Sequence, residues 1–106
     1  MREPTFLILT ALAGRALHGY GLIQEVSALS GGDVVLGAGT LYGALDRLVE
    51  QGLIAVDREE AVEGRLRRYY RLTDPGAAAL AKEVQRLQRH TRAAAERLQK
   101  RGPVTA

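Results

Sequence analysis

The chain has 106 residues, 46 % of them hydrophobic and 25 % charged, with a net charge of +3. That length holds one domain with at most an appended element, and the composition supports a core and excludes a disordered chain. With no cysteine, disulfides, thiolate metal sites and a cysteine nucleophile are excluded, which fits a reducing cytoplasm.

Residues 4–14 read as a helix in which Phe6, Leu7, Ile8, Leu9, Ala11 and Leu12 are apolar nearly all round. A helix without a wet face must be covered on both sides, and in so small a domain the second cover is expected from another subunit. The run from Phe6 to Ala13 also imitates a signal peptide, with Arg2 before it and Ala11-Leu12-Ala13 as a small-residue site. Glu3 and Pro4 spoil the positive lead and the run is short, so a buried helix is the better account. Nothing approaches the roughly 18 apolar residues that cross a membrane.

A second helix is predicted over 19–30, with Leu22, Ile23, Val26 and Leu29 at helical spacing, ended by Ser30-Gly31-Gly32. Val34-Val35-Leu36 has room only for a brief strand. The third helix runs from about Ala38 to Gln51 and stops at Gly52. On a helical wheel Leu41, Leu45 and Leu48 share one face, while Gly39, Gly43, Arg47 and Glu50 fall opposite, beside Thr40 and Asp46. Tyr42 lies at the boundary. Two glycines on an exposed helical face cost about 1 kcal/mol each relative to alanine. That cost is reasonable where another surface must approach the backbone, as the wall of a DNA groove does. Arg47 can reach a guanine edge or a phosphate; Thr40 and Tyr42 can offer hydroxyls.

Leu53 to Glu59 is predicted as a strand, Ala61 to Gly64 as a turn and Arg65 to Leu72 as a second strand. Alternation puts Ile54, Val56, Leu66, Tyr70 and Leu72 on the core and points Arg65, Arg67, Tyr69 and Arg71 away. Arg68 falls on the apolar side and is expected to snorkel past the sheet edge. Asp57, Glu59, Glu60 and Glu63 precede these arginines and are candidates to neutralise them across the strands. Whether Arg65 and Arg67 stay free therefore decides what the hairpin can bind.

The segments His18-Gly19-Tyr20, Gly39-Thr40-Leu41-Tyr42, Gly52-Leu53-Ile54, Gly64-Arg65, Tyr69-Tyr70 and Leu72-Thr73 with Gly76 resemble the PadR family of bacterial transcriptional regulators, in register over roughly residues 5–80. The resemblance implies a mainly α fold with a small β-hairpin wing (α+β), a winged helix-turn-helix with a long C-terminal dimerisation helix. It also implies a homodimer on a pseudo-palindromic double-stranded operator, usually a repressor released by a small-molecule effector. Thr40 and Tyr42 match the recognition-helix positions (helix about 38–51), and Arg65 and Arg67 match the basic wing (about 60–67). Two departures stand out: Gly37 and Ala38 replace the family's serine and proline, and Gly43 replaces a favoured proline. Both leave the fold alone and bear on the DNA sequence preferred.

Asp74-Pro75 supplies an N-cap and a first-turn proline for a last helix reaching Arg101, roughly 40 Å at 1.5 Å per residue. Ala77, Leu80, Val84, Leu87, Thr91, Ala94 and Leu98 repeat at 3-4 spacing, close to a two-stranded seam. With Phe6 and Leu9 of the first helix this seam is the expected dimer interface, and a single such helix resembles the short-tailed branch of the family. Expected boundaries are therefore a DNA-binding domain over 1–73, a dimerisation helix over 74–101 and a flexible tail over 102–106. Residues 82–101 carry a net +5 against −2 for the remainder, so any contact with DNA rests on local patches.

Phe6, Thr10, Leu87 and Thr91 are candidates to line an effector cleft between subunits, beside Leu9 and Ala94. No cofactor is expected. His18 and His90, the two histidines, show no metal-ligand spacing, and no nucleophile, base and orienting group stand together, so no enzyme is expected. The expected setting is cytoplasmic, with the nucleoid. The alternative is a protein–protein interaction module that uses the winged fold without specific DNA binding.

Overall fold

The computed structural model describes residues 1–103; of the tail expected over 102–106, the last three residues lie outside them. Seven elements follow in order: α1 (Glu3–Gly14), β1 (Leu17–His18), α2 (Gly19–Leu29), α3 (Ala38–Glu50), β2 (Ile54–Val62), β3 (Arg65–Leu72) and α4 (Asp74–Arg101). The strands form one antiparallel sheet in the order β1-β3-β2. It is an α+β winged helix-turn-helix with a long last helix.

The core gathers Ile8, Leu9 and Leu12 of α1, Leu22 and Val26 of α2, Leu41, Leu45 and Leu48 of α3, and Ile54 and Tyr70 of the hairpin. The apolar first helix therefore finds most of its cover inside its own chain, packed on α2, β3 and α4. Leu9 is fully buried there, which removes it from the surface expected to meet a second subunit. Phe6 is only half-buried and keeps that option. Leu80 is likewise half-buried against its own core.

Three local readings need correction. Val34 to Leu36 is not a strand: Ser30 Oγ accepts the Val34 amide at 2.9 Å, and Gly31 and Gly32 turn through positive φ just before it. A two-residue strand forms instead at Leu17–His18, because Tyr70 and Tyr69 of β3 stand opposite. The N-cap of α4 is Thr73, one residue earlier than Asp74. Its hydroxyl accepts from the Gly76 amide at 3.1 Å and donates to the Gly52 carbonyl at 2.7 Å, so one side chain caps α4 and ties it to the end of α3.

The hairpin is longer than predicted, and its tip is only Glu63-Gly64, both at positive φ, the geometry of a two-residue turn. Val56 and Leu66, assigned to the core by alternation, are 41 % and 69 % exposed. The strands outrun the helices that could cover them, so only Ile54, Tyr70 and Leu72 at the base pack inward. A bulge at Asp57 also shifts the register between Val56 and Arg58. It moves Arg58 onto the outer face opposite Tyr69, where strict alternation would have sent it inward.

Candidate nucleic-acid interface

Helix α3 begins after Gly37, an extended N-cap without a side-chain acceptor, and its buried stripe of Leu41, Ala44, Leu45 and Leu48 packs it into the core beside α2 and β2. The opposite face is left to solvent. Gly39 and Thr40 are exposed in the first turn, with Gly43, Asp46 and Glu50 continuing the face. Neither glycine is demanded by packing: a Cβ at Gly39 meets nothing within 4 Å, and one at Gly43 only the end of Arg47 at 3.5 Å.

Tyr42 leans from the flank of α3 over Gly19, the buried first residue of α2. Beyond it a cleft of about 830 Å³ separates α3 from the inner side of the hairpin. His18, Tyr20, Tyr42 and Asp46 form one wall; Arg65, Leu66, Arg67 and Arg68 form the other. Arg47 is not brought to this cleft. It stands on the other flank of α3, beside Arg2 and Thr5 of the chain's start.

Carboxylates of the hairpin do pair with arginines, across the strands at Arg68 as expected, but otherwise at Arg58, which was not expected, and not at Arg65, Arg67 or Arg71. Arg58 holds Glu60 at 2.7 Å and Asp57 at 3.0 Å, and its guanidinium lies 3.9 Å over the Tyr69 ring. Arg68 takes Glu59 at 3.1 Å, which holds it at the surface where snorkelling had been expected. Among the described residues Arg65, Arg67 and Arg71 have no carboxylate within 4.0 Å. Both wing arginines border the cleft. The bulge is the physical reason: it places Arg58 where it collects the carboxylates Arg67 would otherwise share.

His18 joins the site through β1, its ring 5.2 Å from Tyr69 and tilted by 53°. Burial and then the Arg67 charge push its pKa below the usual histidine value, with Glu60 acting the other way. The Arg58 hydrogen bond lowers the Glu60 pKa, so this carboxylate stays charged and occupied. Tyr20, 65 % exposed on the rim, and His18 are site residues that periodicity did not find. Their signal was the His18-Gly19-Tyr20 triplet itself, whose place in the cleft depends on β1 pairing with a strand fifty residues away.

Loosely held guanidinium groups and tyrosine hydroxyls beside an uncrowded helical face suit a phosphate backbone with a groove next to it. Asp46 and Glu50 on that face oppose the same partner, so attraction must come from the wing. The seam candidates Val84, Leu87, Thr91, Ala94 and Leu98 run along α4 away from this site, and Val84 and Leu98 are 36 % and 47 % exposed. The Thr10 hydroxyl already donates to the Phe6 carbonyl at 2.7 Å. Within one chain the main clefts are lined by residues other than Phe6, Thr10, Leu87 and Thr91. His90 lies exposed on α4, and no helix among the described residues is long and apolar enough to cross a membrane.

A family model, "Transcriptional regulator PadR-like family", matches residues 8–82. The transcriptional regulator Rv3488 of Mycobacterium tuberculosis is 40 % identical over 81 residues, which are 76 % of this chain and 72 % of that protein. A PadR family transcription regulator from hypervirulent Clostridium difficile R20291 superposes with a TM-score of 0.76 at 24 % identity, over 92 % of this chain and 99 % of that one. Bacillus subtilis PadR, solved in complex with operator DNA, gives a TM-score of 0.70 at 24 % identity, over 78 % of this chain and 48 % of that one. At these identities the two structures show a shared fold.

Proposed function

The chain belongs to the PadR-like family of transcriptional regulators, and we propose that it acts as a homodimeric repressor on a pseudo-palindromic operator, released by a small-molecule effector. In this reading α3 enters the major groove with Gly39, Thr40 and Gly43 foremost, Tyr42 and Arg47 at its flanks, and Arg65 and Arg67 on the flanking phosphates. The observation that carries it is that Arg65 and Arg67 border the cleft beside α3 without a carboxylate within 4.0 Å. A wing consumed by its own acids would have favoured the protein-interaction module instead. The operator complex of Bacillus subtilis PadR supports the same use of the shared fold.

Residues 1–73 are the DNA-binding unit, and α4 joins two copies through Val84, Leu87, Thr91, Ala94 and Leu98, with Phe6 at the edge. An effector held among Phe6, Thr10, Leu87 and Thr91 needs the second subunit to close its site. The working place is the cytoplasm, on the nucleoid, and no catalysis is involved. Fluorescence anisotropy with a duplex from upstream of the protein's own gene, beside a scrambled duplex, tests the reading. A preference of at least about tenfold is expected, and equal weak binding to both overturns it.

A further inference from the structure

The largest uncompensated charge of this chain is not on the wing. The hairpin carries five arginines against four carboxylates, and two of the arginines are tied up. Helix α4 instead carries seven basic residues between Lys82 and Arg101 against Glu83 and Glu96, and Glu83 is already held by Arg86 in two hydrogen bonds. Among the described residues Lys82, Arg89, Arg92, Arg97, Lys100 and Arg101 have no carboxylate within 4.0 Å, and all are exposed.

Their spacing makes a stripe. At 100° per residue Lys82, Arg89 and Lys100 fall within about 20° of one line, with Arg86 and Arg97 beside it. Val84, Thr91 and Leu98 fall on the opposite side of the helix. Joining two copies through that apolar side leaves the stripe outside, so dimerisation does not consume it. The stripe extends for about 27 Å along a helix rising 1.5 Å per residue.

We propose that this outer face of α4 is a second, sequence-independent surface that takes the phosphate backbone of double-stranded DNA. Arginines outnumber lysines on it, and the guanidinium fork suits phosphate oxygens. A straight row of cations matches a polyanion with regularly spaced charge. The one apolar side chain along the stripe is Ala93, too small to enter a lipid surface, and the shallow hollow among Lys82, Arg86 and Arg89 occupies only its first turns, whereas the row of cations runs on to Lys100. With the remainder of the chain at −2, such a surface adds to the attraction that the head draws only from its local wing patch.

The test uses the full chain and a scrambled duplex, so it is independent of whether the wing reads an operator. Anisotropy is followed over a range of salt for wild type, for Lys82→Gln/Arg89→Gln/Arg97→Gln/Lys100→Gln, and for Glu96→Gln. Glutamine keeps helix propensity, and circular dichroism with sedimentation checks fold and assembly. The quadruple variant is expected to lose affinity at least about tenfold at low salt, with the log–log salt slope flattened by about 3. Glu96→Gln, which removes the stripe's one free acid, is expected to bind more tightly. A wild type that ignores the scrambled duplex, or a folded quadruple variant with unchanged affinity and slope, overturns the proposal. So does a Glu96→Gln variant that binds no better than wild type.

Discussion

Gly19 at the start of α2 lies directly under the Tyr42 ring of α3, and a Cβ there would stand 2.9 Å from Tyr42 Cζ and nearer still to the hydroxyl. The missing side chain at one helix thus sets the attitude of a tyrosine on the next, at the mouth of the cleft that faces the wing. Tyr42 is 49 % exposed, so it has solvent to swing into. We expect Gly19→Ala to cost no more than about 1 kcal/mol in urea unfolding while weakening operator binding severalfold. Unchanged binding would remove Tyr42's orientation from the account.

Gly76 is the opposite case. A Cβ there would run into the Leu53 backbone carbonyl and come within 2.8 Å of Leu72 Cδ1. Backbone cannot step aside as a half-exposed ring can. Gly76→Ala is expected to lower stability by about 3 kcal/mol, the upper end of overpacking, measured by the urea midpoint at unchanged slope.

These two glycines also show what was legible in the sequence. Helices α1 to α4 were readable because their apolar stripes and end signals are local: Leu41, Leu45 and Leu48 at helical spacing, Gly52 after them, Pro75 near the start of α4. The pairing of Leu17–His18 with Tyr69–Tyr70, and the packing of Gly19 on Tyr42, are non-local and leave no period. The bulge at Asp57 defeats alternation because one extra residue exchanges the faces beyond it. The wing arginines were legible as a cluster, but not which of them would be paired. Leu9 was misplaced because an all-round apolar helix says that it is covered without saying by what.

Glu83 gives a pH dependence with a definite sign. Its carboxylate is 9 % exposed, accepts two hydrogen bonds from Arg86 at 2.8 and 2.7 Å, and lies 3.4 Å from the Met1 ammonium. These partners, Arg86 above all, hold its pKa at about 2. A depressed carboxylate contributes its full stabilisation above the ordinary value of 4.5 and loses it as pH falls toward 2. Urea midpoints of wild type are expected to fall more steeply than those of Glu83→Gln across that window. Parallel profiles would show that the cluster contributes nothing.

The seam on α4 predicts assembly. Val84 and Leu98 are exposed apolar residues on one side of the helix. Val84→Glu/Leu98→Glu is expected to sediment as a folded monomer and to bind a two-half-site duplex at least about tenfold more weakly, because the second half-site is then no longer linked. A variant that remains dimeric would place the interface elsewhere.

The most direct measurement of the central claim is anisotropy of the upstream duplex with the Arg65→Glu/Arg67→Glu variant. Neither side chain has a carboxylate within 4.0 Å, so the change breaks no ion pair directly; Arg67→Glu does bring a like charge opposite Glu60 across the strands, and circular dichroism checks that the variant is folded. The account predicts a correctly folded protein that has lost about 100-fold or more in affinity, together with its preference over a scrambled duplex. Wild-type affinity and preference in that variant would contradict the wing as the DNA-binding surface.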